Sequence, residues 1–236
     1  VAQYNTKTSE VGFDTGLELG KHGEIRFGLL RDWVKAAPRV GASDLPQFDI
    51  RQGAYTASIA YDRVDDVNFP RNGILIRSHL FMAREELGAD ATYDKLDLNW
   101  LTAFTYNTHT MFGSIELGTN LNDQLPFYDT FRLGGFQHLS GYHTEQLSGQ
   151  YLAYGRLVYY ERVGHLPKAA GSGIYLGASL EAGNVWDTRD QVGLHDLRKS
   201  LALFASADTN IGPLYFAYGL SDGGNYRFYL FLGRTF

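Results

Sequence analysis

Read in steps of two, the chain separates again and again into one apolar row and one small or polar row. Ile25, Phe27 and Leu29 enclose Arg26 and Gly28, and Tyr55, Ala57, Ile59 and Tyr61 enclose Thr56, Ser58 and Ala60. Ile74, Ile76, Leu80 and Met82 run beside Arg77 and His79. The clearest row is Leu96, Leu98, Trp100, Thr102, Phe104 and Tyr106, set against Lys95, Asp97 and Asn99. The pattern continues through Met111–Leu117, Tyr151–Tyr159, Ile174–Ala182, Leu201–Ala205, Leu214–Leu220 and Tyr226–Leu232. A period of two is that of a strand whose faces meet different surroundings. With the opening stretch Val1–Thr6 and the segment Glu10–Leu19, about twelve strands are expected.

The connections alternate in length. Gly20–Gly23, Asn107-Thr108 and Asn210–Gly212 read as tight turns, and Asp32–Gln52, Asn120–Gln150 and Trp186–Lys199 as long loops; Val163–Gly173 is a long connection on the turn side. Outer-membrane barrels have short periplasmic turns and long outside loops, which places Phe236 at the periplasmic rim. A soluble sandwich or lipocalin-like barrel also alternates, with its apolar rows inward. Three details favour the membrane. The polar rows carry both signs of charge within strands (Glu24, Arg26, Arg77, Lys95, Asp97, Arg156, Glu181, Arg227), as a wet bore tolerates. Tyr61, Trp100, Tyr106, Tyr159 and Tyr226 stand towards row ends, where amphipathic rings suit headgroups. Nearly every strand has an apolar row, whereas sandwich edges are blunted.

Composition fits this reading. The 236 residues include 16 Tyr, 15 Phe and 27 Gly but no Cys, with a net charge of −5. No apolar run approaches the roughly 18 residues of a membrane helix. The mean hydropathy of −0.24 is no objection, because only alternate residues of a spanning strand face lipid. Basic residues are dispersed, so no nucleic-acid-binding face is expected. The absence of Cys and the scattered His exclude a thiolate site and argue against any metal, and no cofactor is expected. Val1 is not an initiator methionine, and the chain begins inside an extended pattern, which reads as a mature or trimmed fragment.

Three motifs narrow the reading. The run Tyr226–Phe236 puts Phe228, Leu230 and Leu232 at alternate positions before an aromatic carboxy-terminal Phe236. It resembles the signal read by the bacterial outer-membrane barrel assembly machinery. Tyr61–Gly73 contains Asp62, Arg63, Asp65, Asp66 and then Phe69-Pro70-Arg71-Asn72-Gly73. It resembles the Asp-rich, Phe-Pro-x-x-Gly hairpin of the BamA/TamA/FhaC barrel superfamily. Phe131–Tyr142, with Arg132, Gly134, Gly135, Leu139, Ser140, Gly141 and Tyr142, resembles that superfamily's inward-folded loop, and Leu180–Trp186 resembles the strand that the loop meets. The family's tip arginine is replaced by Ser140, and its partner aspartate matches Glu181. A charged bridge between those two positions is therefore impossible. Ser140 is expected to hydrogen-bond Glu181, with Arg132 or Arg156 as countercharge and Gly183 beside them on the wall, since a buried lone carboxylate is costly.

As a whole, the chain resembles the translocator barrel of patatin-like type V autotransporters. That resemblance implies one outer-membrane barrel domain over 1–236, part of a barrel of about sixteen strands, an even count as bacterial barrels require. It also implies an upstream POTRA module and lipase passenger, and contact with outer-membrane lipid, lipopolysaccharide and the assembly machinery; a homodimer is equally compatible with the exposed aromatics. The implied function is anchoring or translocation of the passenger. Other readings are a passive porin, a surface phospholipase built on His138 and Ser140, and an insertase. No Gly-x-Ser-x-Gly elbow is present, and the His138-Leu139-Ser140 pair sits in the loop expected inside the bore, so the chain is read as lacking a catalytic site.

Overall fold

The computed structural model describes residues 3–40 and 48–233. Apart from short 3-10 turns at Glu85–Leu87, Arg189–Gln191 and Leu194–Asp196, its regular structure is all strand: β1 (Gln3–Leu19), β2 (Gly23–Val40), β3 (Phe48–Asp62), β4 (Gly73–Ala83), β5 (Tyr93–Tyr106), β6 (His109–Asn120), β7 (Phe131–Leu133), β8 (Leu147–Gly149), β9 (Tyr151–His165), β10 (Gly171–Trp186), β11 (Arg198–Thr209), β12 (Gly212–Ser221) and β13 (Tyr226–Leu232). Eleven of these form one sheet in the order β1-β2-β3-β4-β5-β6-β9-β10-β11-β12-β13, while β7 pairs with β8. Each main-sheet strand lies beside the next one in sequence, the up-and-down order that short antiparallel connections produce. The expected all-β antiparallel architecture is what the chain adopts.

Several boundaries differ from expectation. The opening stretch and Glu10–Leu19 are one strand, because Lys7, Thr8 and Ser9 continue the ladder opposite Lys35, Val34 and Trp33. Polar residues do not interrupt a strand that has a wet face. The loop expected over Asp32–Gln52 is mostly strand, since β2 runs to Val40 and β3 starts at Phe48. The connection expected over Val163–Gly173 shrinks to 166–170, and Asn120–Gln150 holds the small β7–β8 ladder. Trp100 lies in the middle of β5 rather than at a row end. Phe236 lies outside the described residues.

Packing divides the chain into two compact units, Val1–Ala60 with Ser78–Leu96 and Asn120–Tyr128, and Tyr61–Arg77 with Asp97–Thr119 and Asp129–Phe236. In the first, β1 and β2 pair from Leu19↔Gly23 to Gln3↔Val40. One face of this hairpin exposes Val11, Phe13, Leu17, Phe27 and Leu29. The other carries the charges: Arg26 Nε donates to Asp14 at 2.8 Å and the same guanidinium lies 3.3 Å from Glu24. Around residues 84–94, Arg84 pairs with the buried Asp94 at 2.6 Å and Arg51 with Asp90 at 2.9 Å. Asp94 also accepts from Asn122, so its burial is compensated.

In the second unit the two faces differ more sharply. Leu180, Phe216, Phe228 and Leu230 are 58%, 61%, 68% and 79% exposed. Their neighbours of opposite parity, among them Tyr154, Arg156, Glu181, Ala202 and Tyr215, are buried. A row of large apolar residues left open on a strand whose charges are buried inverts the usual soluble arrangement and fits hydrocarbon.

The expectation of an ionic, watery inner face needs correction near the turns. There the inner row becomes aromatic: Phe69 stacks on Tyr175 at 4.3 Å and lies 5.7 Å from Tyr215 and 6.0 Å from Tyr160. Leu101, Phe112, Val158 and Phe204 complete the cluster. The turn that delivers Phe69 is built by its aspartates. Asp62 accepts from Val64 N at 3.0 Å, Asp65 from Arg71 N and Asn72 N at 2.9 Å, and Asp66 from Asn68 N at 2.7 Å and Phe69 N at 3.0 Å. Asp62 also pairs with Arg77 at 3.3 Å, and Arg63 N bonds Ile74 O at 2.9 Å. Gly73 holds φ +119°, and a Cβ there would stand 2.0 Å from Arg63 O. Pro70 O accepts from Tyr160 Oη at 2.7 Å. The turn is an inward wedge, with its backbone N–H groups taken up by its aspartates so that its Phe can be buried.

Two substitutions test the faces. Leu180→Arg should destabilise the folded protein in bilayers by about 2–4 kcal/mol, as a cation facing the hydrocarbon midplane does. Phe69→Ala should cost about 3–5 kcal/mol through lost burial and the cavity left behind. Both are read from urea unfolding in liposomes; a neutral Leu180→Arg would mean that this row does not face lipid.

Candidate functional site

The site is built on the inner face of the second unit, where the segment 131–149 folds back against β6, β9, β10, β12 and β13. Its base is the β7–β8 ladder, Phe131↔Gly149 to Leu133↔Leu147. Beyond Leu133 the chain turns through Gly134 and Gly135, at φ +130° and +116°. Gln137 and Leu139 take left-handed conformations, φ 54° and 71°. Each costs an L-residue roughly 1–2 kcal/mol. The contacts of the tip offset that cost.

At the tip, Ser140 is fully buried and Glu181 is 3% exposed. Ser140 N donates to Glu181 Oε2 at 2.5 Å and Ser140 Oγ to Glu181 Oε1 at 2.7 Å. Ser179 Oγ donates to Oε1 at 2.5 Å, and Ser140 Oγ in turn accepts from Gln137 N at 2.8 Å. Both carboxylate oxygens therefore receive donors, which are neutral groups throughout this contact. Bonds to an ionised acceptor are roughly twice as strong as neutral ones, which suits a buried carboxylate. Arg156 is the cross-strand register partner of Glu181. Its Nε donates to Ser114 Oγ at 2.9 Å and its Nη1 to Gln137 O at 2.9 Å. Arg132 instead lies 3.5 Å from Glu145 within the loop. Of the two expected countercharges, Arg156 is the one placed beside Glu181.

The rest of the tip is seated on the wall by shape and by carbonyl bonds. Ser140 O presses so closely on β12 that a Cβ on Gly219 would stand 2.1 Å from it. Tyr229 Oη, from β13, donates to Ser140 O at 2.8 Å and to Tyr142 O at 3.1 Å. Gly141 N reaches Ser200 Oγ at 3.3 Å, and Arg198 lies over the Tyr142 ring at 5.6 Å. Gly183, buried opposite Tyr154 in the register, leaves room for that ring, whose hydroxyl donates to Gln137 O at 2.6 Å. His138 Nε2 meets Glu116 at 2.9 Å.

Sequence reading found Ser140, Glu181 and Arg156 but missed Gln137, Ser179, Ser200, Gly219 and Tyr229. Ser179 and Tyr229 share the inward parity of their strands and were findable on that ground. Gln137 acts through its left-handed backbone and carbonyl as well as its Oε1, which accepts from Arg156 at 3.1 Å, and no side-chain pattern announces the backbone part. The expected residues Asp62, Arg63, Phe69, Pro70 and Gly73 sit instead in the separate turn wedge. Phe228, Leu230 and Leu232 lie on the exposed row of β13, paired with Tyr218, Phe216 and Leu214.

Beside the tip lies a cavity of 610 Å³ whose lining includes Arg77, Glu116, Arg132, His138, Arg156 and Tyr229. Among the described residues no group of three or more His, Cys, Asp or Glu could hold a metal. Ser140 Oγ is engaged by Glu181 and Gln137, and the His138 ring nitrogen by Glu116, so the two residues of the His-x-Ser pair serve separate contacts.

Glu181→Gln keeps the size of the side chain but turns one acceptor into a donor facing Ser140. It should cost about 1–3 kcal/mol and loosen the tip, as leaving buried groups mispaired does. Gly219→Ala should unseat it by steric contact alone. Limited proteolysis within 143–146, which are exposed, should quicken in both variants; an unchanged cleavage rate would remove Glu181 from the latch.

No curated protein sequence matches the chain. Among solved structures, BamA from Haemophilus ducreyi lacking POTRA domains 1-3 is similar with a TM-score of 0.74 at 13% identity, over 96% of this chain and 54% of that one. CdiB from Escherichia coli is similar with a TM-score of 0.69 at 14% identity, over 98% and 44%. The chain thus spans about half the length of each. These likenesses are of fold. The profile of the Omp85 superfamily domain matches residues 1–236, the whole chain. With its outward apolar rows and loop-filled inner face, the chain belongs to the Omp85 superfamily of integral outer-membrane β-barrels.

Proposed function

We propose that this chain is a translocator and anchor barrel, carrying an upstream passenger, a patatin-like lipase, to or across the outer membrane. The observation that carries the reading is the loop 131–149, folded on the inner face and held at Ser140–Glu181. A pore for free diffusion is not served by a loop bound there, whereas a translocator at rest is. The similarity in fold to BamA and CdiB supports a role in insertion or translocation. The resemblance of the chain's spacing as a whole to the translocator barrel of patatin-like type V autotransporters supports the branch.

Under this reading Arg132, Gly134, Gly135, Leu139, Ser140, Gly141 and Tyr142 form the lumen loop, and Arg156, Glu181 and Gly183 are its wall. Asp62, Arg63, Phe69, Pro70 and Gly73 form the periplasmic wedge. Phe228, Leu230, Leu232 and Phe236 present the row that the assembly machinery reads, by pairing with an edge pre-patterned for lipid. A POTRA module and the passenger precede the barrel, and lipid and lipopolysaccharide surround it. The barrel itself does no chemistry. The fold likeness to BamA favours a second reading, insertion of other barrels.

The test is protease shaving of intact cells expressing the parent reading frame with a tag upstream of Val1. Added protease should remove the tagged segment when the wild-type barrel is present. Continued protection of that segment, together with falling levels of unrelated outer-membrane barrels on deletion, would favour the insertase instead. In planar bilayers the barrel should show low steady conductance; a high, steady one would identify a porin.

A further inference from the structure

On the outward face of the second unit, the cross-strand register places Ile115 beside Gly155, Gly155 beside Ala182, and Ala182 beside Lys199. One step towards the turns, Gly113, Leu157, Leu180 and Leu201 form the next line. The apolar row is therefore broken by side chains of almost no size, with larger ones on either side. Neither glycine is explained by the chain itself. A Cβ on Gly155 would meet nothing nearer than Ser114 O at 3.7 Å, and one on Gly113 nothing nearer than Arg156 O at 3.8 Å. Neither has a positive φ. Their missing side chains leave an open furrow rather than relieve a clash.

A loop flanks the furrow. The loop 187–197 bends over the outward face, held there by Asn184, whose Nδ2 donates to Asp196 O at 3.0 Å. This brings Leu194 and Leu197 beside the small residues, and with them they line an open groove of 580 Å³. Leu194 is 83% exposed at the end of that loop, an apolar side chain without cover from the described residues. At the loop end of the furrow stands Lys199. It is exposed, and its ammonium meets no carboxylate among the described residues, while the nearby Asp196 is engaged by His195 at 3.1 Å.

We propose that this furrow is a binding site for lipopolysaccharide, with one acyl chain lying over Gly155 and Ala182 beside Leu194 and a phosphate of the headgroup on Lys199. The occupant follows from continuity. The furrow opens from the exposed apolar rows that face hydrocarbon, so what covers it is lipid. Long loops of such barrels face outside, where the outer leaflet presents lipopolysaccharide, and a free ammonium at that level suits its phosphates. An open groove flanked by a loop holds one chain longer than a flat strand face does, because Leu194 and Leu197 add apolar contacts to those of the strands. The inference is independent of the translocator reading and survives its failure.

The test is native mass spectrometry of the full chain extracted from outer membranes in mild detergent. Wild-type protein should retain lipopolysaccharide. Gly155→Leu, which fills the furrow, and Leu194→Asp, which removes the flanking apolar contact, should each lower the retained fraction at least tenfold, and Lys199→Gln at least threefold. Heat-modifiable mobility checks folding. Leu194→Asp alters only an exposed loop side chain, so it decides the matter even if Gly155→Leu does not assemble. Equal retention by wild type and Leu194→Asp, or retention of phosphatidylethanolamine in place of lipopolysaccharide with no dependence on Lys199, would overturn the proposal.

Discussion

A strand that borders hydrocarbon on one face can keep its charges only on the other. Water is absent from one side, so an ionic group there has nothing to solvate it, and a backbone group left unpaired has nothing to bond. The central stretches of β9 and β10 obey this, while Glu161 and Lys199 lie outward only near strand ends. On β9, Leu157 and Tyr159 are exposed while Arg156, Val158 and Tyr160 are buried. On β10, Leu180 is exposed while Ser179 and Glu181 are buried. The charges that the alternation forces inward must then find partners inside, and this is what gives the loop its seat. Glu181 is buried because its parity leaves it no other place, and a segment bearing donors has to come to it.

That segment does so without a cation at its tip. An arginine opposite a carboxylate offers a fork of charged donors. Ser140 offers a backbone N–H and a hydroxyl, and Ser179 adds a second hydroxyl from the strand itself. The smaller side chain lets the loop backbone approach the wall closely enough for Ser140 O to rest on Gly219. Shape and neutral hydrogen bonds then do much of what a salt bridge would do, and Arg156, beside Glu181 in the register, also holds Gln137 and Ser114, which shape the tip from behind. The left-handed Gln137 and Leu139 belong to the same solution, since they aim the Ser140 N–H and hydroxyl at one carboxylate.

The sequence disclosed the faces far better than the ends. Period-two alternation identified every strand of the main sheet, because lipid selects on alternate residues without regard to partners. Strand ends depend on where pairing stops, and pairing passed through Lys7–Ser9 and beyond Asp32, where hydropathy suggests a break. The pairing of Ser140 with Glu181 was legible because both residues are motif positions with complementary chemistry. The aromatic wedge was less so. Phe69 reads as part of a polar turn, and only the folded chain shows three aspartates taking up the backbone N–H groups so that the ring can point inward among Tyr160, Tyr175 and Tyr215. Tyr residues on inward rows look like wet-bore residues until a partner ring is brought to them.

Ser140 also links strands that are not neighbours. Among the described residues β13 pairs with β12, from Leu214↔Leu232 to Leu220↔Tyr226. From inside, Tyr229 grips Ser140 O and Tyr142 O, its ring lies 5.4 Å from Phe136, and Arg227 meets His143. The residue whose N–H and hydroxyl are fixed to β10 therefore has its carbonyl fixed to β13 and pressed against β12. A disturbance at Glu181 is two hydrogen bonds away from the last strand. Fastening β13 to the loop makes its place on the inner face depend on whether the loop tip is seated, so that the seat of the tip on β10 and its hold on β13 are properties of one contact.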